Sequence, residues 1–141
     1  SEAFPLGERA RPALAALRDS TGESVQLYLR EGDERRCVVS LQSTHGLRWI
    51  VPEGALLPLA VGSAGHVLRD EPTPPSGWVA SVEEREAGVA SVSAPVRTAR
   101  GVLVAAVSIS GPVERLTRSP GERFGPSVAA CAQSLSAIVS A

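Results

Sequence analysis

The sequence predicts an α+β domain in which an antiparallel sheet is flanked by helices at both ends of the chain. An apolar stripe at helical spacing runs from Phe124 to Ile138. Runs of alternating apolar and polar residues with strand composition occupy much of 24–51. Two further strand-like runs, 89–96 and 102–109, flank a tight turn, which is the pattern of a β-hairpin.

The first part of the chain is predicted to form one helix and three strands. Glu8–Asp19 has a helical apolar face, with Pro12 expected in the first turn, where its missing N–H does no harm. Alternating apolar residues predict strands at Ser24–Leu29, Arg36–Leu41 and Leu47–Val51. These strands supply one half of the sheet.

The middle of the chain is predicted to contain two short helices around a loop. Leu59–Arg69 is a small-residue helix whose glycines each cost about 1 kcal/mol relative to Ala. Close approach of a ligand or of another backbone explains such residues. The proline-containing stretch Asp70–Gly77 is a loop. Ser81 and Glu84 then form a capping box, which predicts a helix that ends at Gly88.

The predicted hairpin carries a row of hydroxyl groups on one face. Its turn, at 98–101, pairs the strands so that Ser91 falls opposite Ser108. Ser93 and Ser110 share the same face, because side chains on one face of a strand recur every second residue. The opposite face is an apolar core, formed by Ala90, Val92, Ala94, Leu103, Ala105, Val107 and Ile109. Hydroxyls beside such a core predict a small polar cavity over the sheet.

The composition excludes several classes of protein. The chain has 141 residues, of which 43% are hydrophobic and 21% charged, and these are the values of one globular domain. A formal net charge of −1 argues against direct binding to nucleic acid, which needs a basic surface. No apolar run approaches the roughly 20 residues of a membrane span. We therefore expect no membrane partner.

The cysteines and histidines predict neither disulfides nor a metal site. Cys37, which alternates with Val39 on a strand, and Cys131, on the last apolar stripe, are expected to be buried reduced thiols. Such thiols are typical of a cytoplasmic protein. His45 and His66 lack Cys or carboxylate partners at ligand spacing, so no metal is expected. Nothing in the sequence indicates a cofactor.

Three blocks carry a family resemblance. In the strongest, four residues at the spacing of a family signature precede Ala-Pro-Val at 94–96 and Ser-Ile-Ser-Gly-Pro at 108–112; the four are Gly77, Ser81, Glu84 and Ser91. A second block has Pro-Leu and then Gly-Ser-Ala-Gly-His within 58–66. A third, weaker block lies within 14–25. Together they resemble the C-terminal effector-binding domain of IclR-type bacterial transcription regulators.

The chain departs from the family pattern at several positions. His66 stands at the usual Lys, and Ala60 stands where His is common. Arg97-Thr98 replaces the aromatic-acidic pair that usually closes the signature. The loop at 70–77 lacks the longer, partly helical insertion of the family. The last difference affects the lid of the expected pocket.

The resemblance implies a GAF-like sheet with the terminal helices on one face and a ligand cleft on the other. Residues 1–141 are then a single effector-binding domain, and the family's DNA-binding winged helix is expected outside this chain. The absence of Met fits an excised or processed piece. The implied partners are a small-molecule effector, such as an organic or aromatic acid, and further copies of the chain in a homodimer or homotetramer. DNA is expected to be bound only through the other domain, in the cytoplasm.

The serine row and the resemblance together predict a set of ligand-binding residues, namely Leu47, Trp49, Ser63, Ala64, Ser81, Ser91, Ser108 and Ser110. Two alternatives stay open at this stage. Ser81 fits a helix cap as well as the pocket, and Trp49 fits the core as well as the pocket. Trp78 is expected to be a packing residue. Arg97 is expected at the exposed end of the hairpin, from where an inward turn could pair it with a ligand carboxylate.

Two other functions compete with ligand sensing. A serine hydrolase would need a base, and His66, three residues after Ser63, is the only candidate. Without a G-x-S-x-G elbow or a good His–acid pair, we expect no enzyme and no catalytic residues. The third possibility is a ligand-free oligomerisation module with a vestigial pocket, which the short 70–77 loop and Ser81 keep open.

Overall fold

Helices cover both faces of a six-stranded antiparallel sheet in the computed structural model, which describes residues 3–46 and 51–139. In chain order the elements are α1 (Ala3–Thr21), β1 (Ser24–Glu31), β2 (Glu34–Leu41), β3 (Leu56–Pro58), α2 (Ser63–Leu68), β4 (Val79–Val82), β5 (Val89–Arg97), β6 (Leu103–Pro112), α3 (Val113–Leu116) and α4 (Pro120–Ile138). The strand order is β3-β2-β1-β6-β5-β4. The predicted α+β class and antiparallel sheet are confirmed.

The main core lies between one face of the sheet and the two terminal helices. The stripe predicted for the last helix is buried at Phe124, Val128 and Leu135. Val92 and Ile109 meet it from the central strands and are fully buried. Because α1 and α4 also contact each other, they cover this face as one layer. We call it the helix face of the sheet.

Trp78 is packed against α4 at two glycines. A Cβ atom would lie 2.4 Å from the indole at Gly121 and 2.3 Å from it at Gly125. The ring therefore lies directly on the helix backbone and joins the main core. This is the packing role expected for Trp78.

Several predicted element boundaries are wrong. The first helix begins at Ala3, so Pro12 lies inside it and not in the first turn. Pro12 is exposed, so the carbonyl that lacks its helical donor can bind water. The helix predicted at Leu59–Arg69 is limited to α2, and β3 was not predicted. Of the predicted third strand, Leu47–Ile50 lie outside the described residues, and Val51 is not in a strand.

No helix forms at the capping box. Ser81 lies in β4, which pairs with β5, and Glu83 then has a φ of 58°, which ends the strand. The open edge of β5 offers four residues a ladder of hydrogen bonds, and this tertiary pairing overrides the local cap signal. Residues 83–88 form bends and a turn.

The hairpin register differs by two residues from the predicted one. Ser91 pairs with Ser110, and Ser93 pairs with Ser108. The side-chain period in a strand is two, so this shift leaves every serine on its predicted face. An irregularity next to Val96 lengthens the turn and puts Leu103 on the other face from the one predicted.

A bulge in the pairing of β1 with β2 separates two residues that were expected on one face. Leu27 pairs with Val39 and Tyr28 pairs with Cys37, so one residue of β2 is skipped. Val39 therefore enters the main core, whereas Cys37 joins a second apolar cluster under α2. Cys37 and Cys131 are both buried and free, as expected.

Candidate functional site

A polar cavity lies on the sheet face opposite the helix face, and we call this side the polar face. Its floor is formed by side chains of five adjacent strands and its cover by the start of α2. Of the predicted residues, those that line it are Ala64, Ser81, Ser91, Ser108 and Ser110. The strand alternation that buries Val92 and Ile109 on the helix face turns these serines to the polar face.

Five serines form one chain of hydrogen bonds beside the cavity. The Oγ of Ser81 lies 2.9 Å from that of Ser91, which lies 2.6 Å from the Oγ of Ser63. Ser63 Oγ is also 2.7 Å from Ser93 Oγ, and Ser93 in turn bonds Ser108. Each hydroxyl can donate and accept, so such a chain can reverse its direction or admit a ligand oxygen. Ser63 belongs to this chain without lining the cavity itself.

Gln26 of β1 has an unused donor at the cavity. Its Oε1 accepts a hydrogen bond of 3.1 Å from Ser110 Oγ. Its Nε2 is buried and has no hydrogen-bond partner within the described part of the chain. A buried donor without an acceptor costs about 1–3 kcal/mol. The side chain is 0% exposed, so bulk solvent does not reach this donor.

Arg35 of β2 brings a buried positive charge to the same cavity. The residue is 3% exposed, and its guanidinium carbon lies 5.0 Å from the centroid of the Tyr28 ring. Its Nη1 donates to the carbonyls of Pro58 at 2.5 Å and Val61 at 2.7 Å. Burial lowers the pKa of Arg35 from its ordinary value. Burial, with a smaller contribution from Cys37, raises the pKa of Tyr28 to about 12.

The cover of the cavity explains the small residues of the second block. Gly62 has a φ of 89°, and a Cβ there would lie 3.2 Å from Arg35 Nη2. A Cβ at Gly65 would lie 2.3 Å from the Leu59 carbonyl oxygen. The close approach predicted here is thus made by backbone and by a guanidinium. The Ser81 hydroxyl accepts a bond of 3.0 Å from the Ser63 N–H, so it holds this cover and caps no helix.

His66 has carboxylate partners, contrary to the sequence-based expectation. Its Nδ1 lies 2.8 Å from Glu71 and its Nε2 2.8 Å from Glu84. The same Glu84 oxygen accepts a bond of 2.9 Å from the N–H of Gly62, at the edge of the cavity. Hydrogen bonds from His66 and Arg69 hold the pKa of Glu71 below its usual value. No group of three residues suited to a metal ion occurs in the described ranges.

The cavity is small in this structure. Its free interior is about 20 Å³, roughly the space of one water molecule. The space between the lining residues, with the part that opens to solvent, is about 370 Å³. The free interior is far below the roughly 300–1,000 Å³ of ordinary ligand pockets. A ligand larger than water must therefore move α2 or exchange its groups for some of the existing hydrogen bonds.

The remaining candidate residues lie elsewhere or were missed. Leu47 and Trp49 lie outside the described residues. Arg97 forms an ion pair of 2.6 Å with Asp70 at the end of the hairpin. The lining residues that sequence reasoning missed include Gln26, Tyr28, Arg35 and Arg85. Strand alternation could have placed the first two on the polar face, but no sequence signal marks the arginines.

Comparisons of sequence and of fold both match this chain to IclR-type transcriptional regulators. The family described as bacterial transcriptional regulator IclR C-terminal matches residues 71–137. The glycerol operon regulatory protein of Streptomyces griseus is 42% identical over 62 residues, which cover 43% of this chain and 24% of that protein. This chain therefore matches about a quarter of the length of that relative.

Solved structures extend the likeness to nearly the whole chain. An IclR-family putative transcriptional regulator from Rhodococcus superposes with a TM-score of 0.82 at 29% identity, over 94% of this chain and 63% of that one. The IclR protein of Thermotoga maritima gives a TM-score of 0.84 at 21% identity, over 98% of this chain and 70% of that one. The second likeness shows the fold alone.

The fold is the GAF-like arrangement of the solved IclR-type structures. The relatives named above are described as transcriptional regulators. Residues 71–137, just under half of the chain, therefore resemble the C-terminal domain of IclR-type regulators.

Proposed function

We propose that this chain is the effector-binding domain of an IclR-type transcription regulator and that a small metabolite binds in the cavity on the polar face. Binding then shifts the balance between states of the full-length protein that differ in affinity for DNA. DNA contact is assigned to another domain of that protein. Self-association as a homodimer or homotetramer and action in the cytoplasm belong to the same proposal. The described residues contain no helix that could cross a membrane.

The observation that carries this proposal is the buried polar surface left beside the serine chain. A face meant only for packing would satisfy its polar atoms or replace them with apolar groups. Here the Nε2 of Gln26 and the Nε of Arg35 are both buried without hydrogen-bond partners in the described chain. A ligand with acceptor oxygens, bound between them and the serines, would satisfy both donors.

The size of the cavity narrows the class of effector. With about 20 Å³ of free interior, short-chain acids and polyols fit with far less movement of α2 than aromatic acids need. The relative from Streptomyces griseus is named for a glycerol operon, so three-carbon hydroxylated compounds are the first to test. Their hydroxyls match the donors and acceptors of the serine row.

The alternative is a vestigial pocket in an oligomerisation module. Two observations favour it: five serines already bond one another, and the interior is nearly closed. The hydrolase alternative has lost its only candidate base. His66 bonds Glu71 and Glu84, whereas the Ser63 hydroxyl bonds Ser91 and Ser93.

A thermal-shift panel tests the proposal. The probes are glycerol, glycerate, lactate and glycerol 3-phosphate, each titrated at constant ionic strength. A ligand of the folded state stabilises it by RT ln(1 + [L]/Kd), which is about 2.7 kcal/mol at 100 times Kd. We expect at least one probe to raise the melting temperature by several degrees in a saturable manner.

Matched serine variants place the effect on the polar face. Ser91→Ala removes a hydroxyl that lines the cavity, and Ser134→Ala removes an exposed one on α4. Ser91→Ala should raise the Kd obtained from the melting-temperature titration about tenfold or more, since one hydrogen bond to a charged or polar ligand group is lost. Ser134→Ala should leave it unchanged. If no probe stabilises the wild-type chain, the vestigial alternative replaces the proposal.

A further inference from the structure

The charge balance around the cavity is one-sided. Arg35 and Arg85 both line it. The ion pairs formed among the described residues include neither of these two arginines. Besides burial and the neighbouring Tyr28, the groups that affect the pKa of Arg35 are Arg85 and Arg69, whose positive charges lower it. The charged residues that line the cavity are therefore both positive, and the carboxylate at its edge, Glu84, is bonded to His66 and to the N–H of Gly62.

A buried guanidinium is costly without an anion. Arginine stays protonated in proteins, and moving its charge out of water costs several kcal/mol unless a partner compensates it. The carbonyls of Pro58 and Val61 and the ring of Tyr28 supply partial charges only. The Nε of Arg35 makes no hydrogen bond within the described chain. The guanidinium is thus held in position but lacks a counter-charge.

The residues beside this guanidinium leave no room for a larger side chain at Gly62. At Gly62 any larger residue would bring a Cβ within 3.2 Å of Arg35 Nη2. The positive φ of Gly62 also disfavours other residues. Gln26, with its unused amide donor, lines the same cavity. Three donor-bearing side chains, Gln26, Arg35 and Arg85, therefore share one cavity.

We propose that Arg35 is the specificity residue that recognises a negatively charged group of the effector, a carboxylate or a phosphate. Arg85 adds long-range attraction and Gln26 donates a further hydrogen bond, while the serines bind the hydroxyl-bearing part. This inference rests on the proposed function, since it assigns the charge of the ligand in the same cavity. A planar guanidinium suits both anions because it can donate two parallel hydrogen bonds.

Binding of matched acid and neutral probes tests the inference by calorimetry on the whole chain. The pairs are lactate with lactamide, glycerate with glyceramide, and glycerol 3-phosphate with glycerol. We expect at least one acid to bind ten times or more tightly than its neutral partner, because a charge-assisted hydrogen bond is lost in the neutral compound. Stronger binding by glycerate identifies a carboxylate, and stronger binding by glycerol 3-phosphate a phosphate.

Arg35→Gln should remove the preference for the acid, and Arg36→Gln is its matched control. Arg36 is adjacent on β2 but pairs with Glu31 at the surface, so its replacement should leave binding unchanged. If Arg35→Gln does not fold, Arg35→Lys decides. It should keep the preference but bind the acid at least several-fold more weakly, because Lys lacks the planar fork; unchanged affinity overturns the assignment of Arg35.

The outcomes separate this inference from the proposed function. Equal binding of acid and neutral partner in every pair that binds contradicts the role of Arg35 but supports a ligand site on the polar face. An acid preference that persists in Arg35→Gln also contradicts it. If none of the six compounds binds, the inference and the proposed function both fail.

Discussion

The two faces of the sheet are built from the same strands but are stabilised in different ways. On the helix face, Val92, Val107 and Ile109 are fully buried under the terminal helices. On the polar face, the neighbouring residues Ser93 and Ser108 are almost as deeply buried, yet they are held by hydrogen bonds to each other. Deep burial therefore does not by itself mean apolar packing, because a buried hydroxyl needs a hydrogen-bond partner.

The difference shows how one hairpin can serve structure and binding together. The apolar face gains stability from buried area, about 25 cal/mol per Å², and tolerates no gap. The polar face gains little from its hydrogen bonds, about 1 kcal/mol each, because they replace bonds to water. Its groups can therefore be exchanged for those of a ligand at small cost. A ligand-binding site therefore disturbs the fold less on the polar face than it would on the helix face.

The largest expected difference in stability between the two faces is at two adjacent residues of β6. Ile109→Ala should lower the free energy of unfolding by about 2–5 kcal/mol, because it leaves a cavity in the main core. Ser108→Ala should cost only about 0.5–1.5 kcal/mol, since Ser93 keeps its bond to Ser63. Urea denaturation of both variants measures the difference. Equal losses would mean that the polar face is part of the core.

Substitutions at two glycines, one on each face, should have a smaller effect on stability and test whether the faces act independently. Gly125→Ala should destabilise the chain by about 1–3 kcal/mol, although alanine is the better helix former, because its Cβ would overlap the Trp78 ring. Gly65→Ala should cost a similar amount through the Leu59 carbonyl on the polar face. Only Gly65→Ala should also change the thermal-shift response, since it moves the cover of the cavity. A change in response with Gly125→Ala would contradict the independence of the two faces.

Strand periodicity made the assignment of faces predictable. Ser91 and Ser108 lie on the polar face as predicted, although their register differs by two residues. Register depends on the length of the turn, and the irregularity beside Val96 is not visible in composition. The α4 stripe from Phe124 to Leu135 was predictable for the same reason as the faces, because a single period determines it.

What could not be predicted depends on contacts between distant parts of the chain. Ser81 has a sound capping signal, but the free edge of β5 competes for its backbone and prevails. Arg35 reaches the cavity because the chain around Val61 and Gly62 folds back over it, which no local pattern records. His66 meets Glu84 across 18 residues for the same reason. The ligand-binding roles of Ser81 and Arg35 stay predictions.

The most direct test follows the Nε–H resonance of Arg35 by NMR while each acid of the panel is added. We predict that at least one acid moves this resonance and the amide resonances of Ser91 and Ser110, with the same saturation curve. Its neutral partner should leave Arg35 unchanged, and amides of Leu14 and Val128 on the helix face should not respond to the acid. If the binding acid instead leaves the Arg35 resonance unmoved, or if its shifts concentrate on α1 and α4, the polar face is not an anion-selective site.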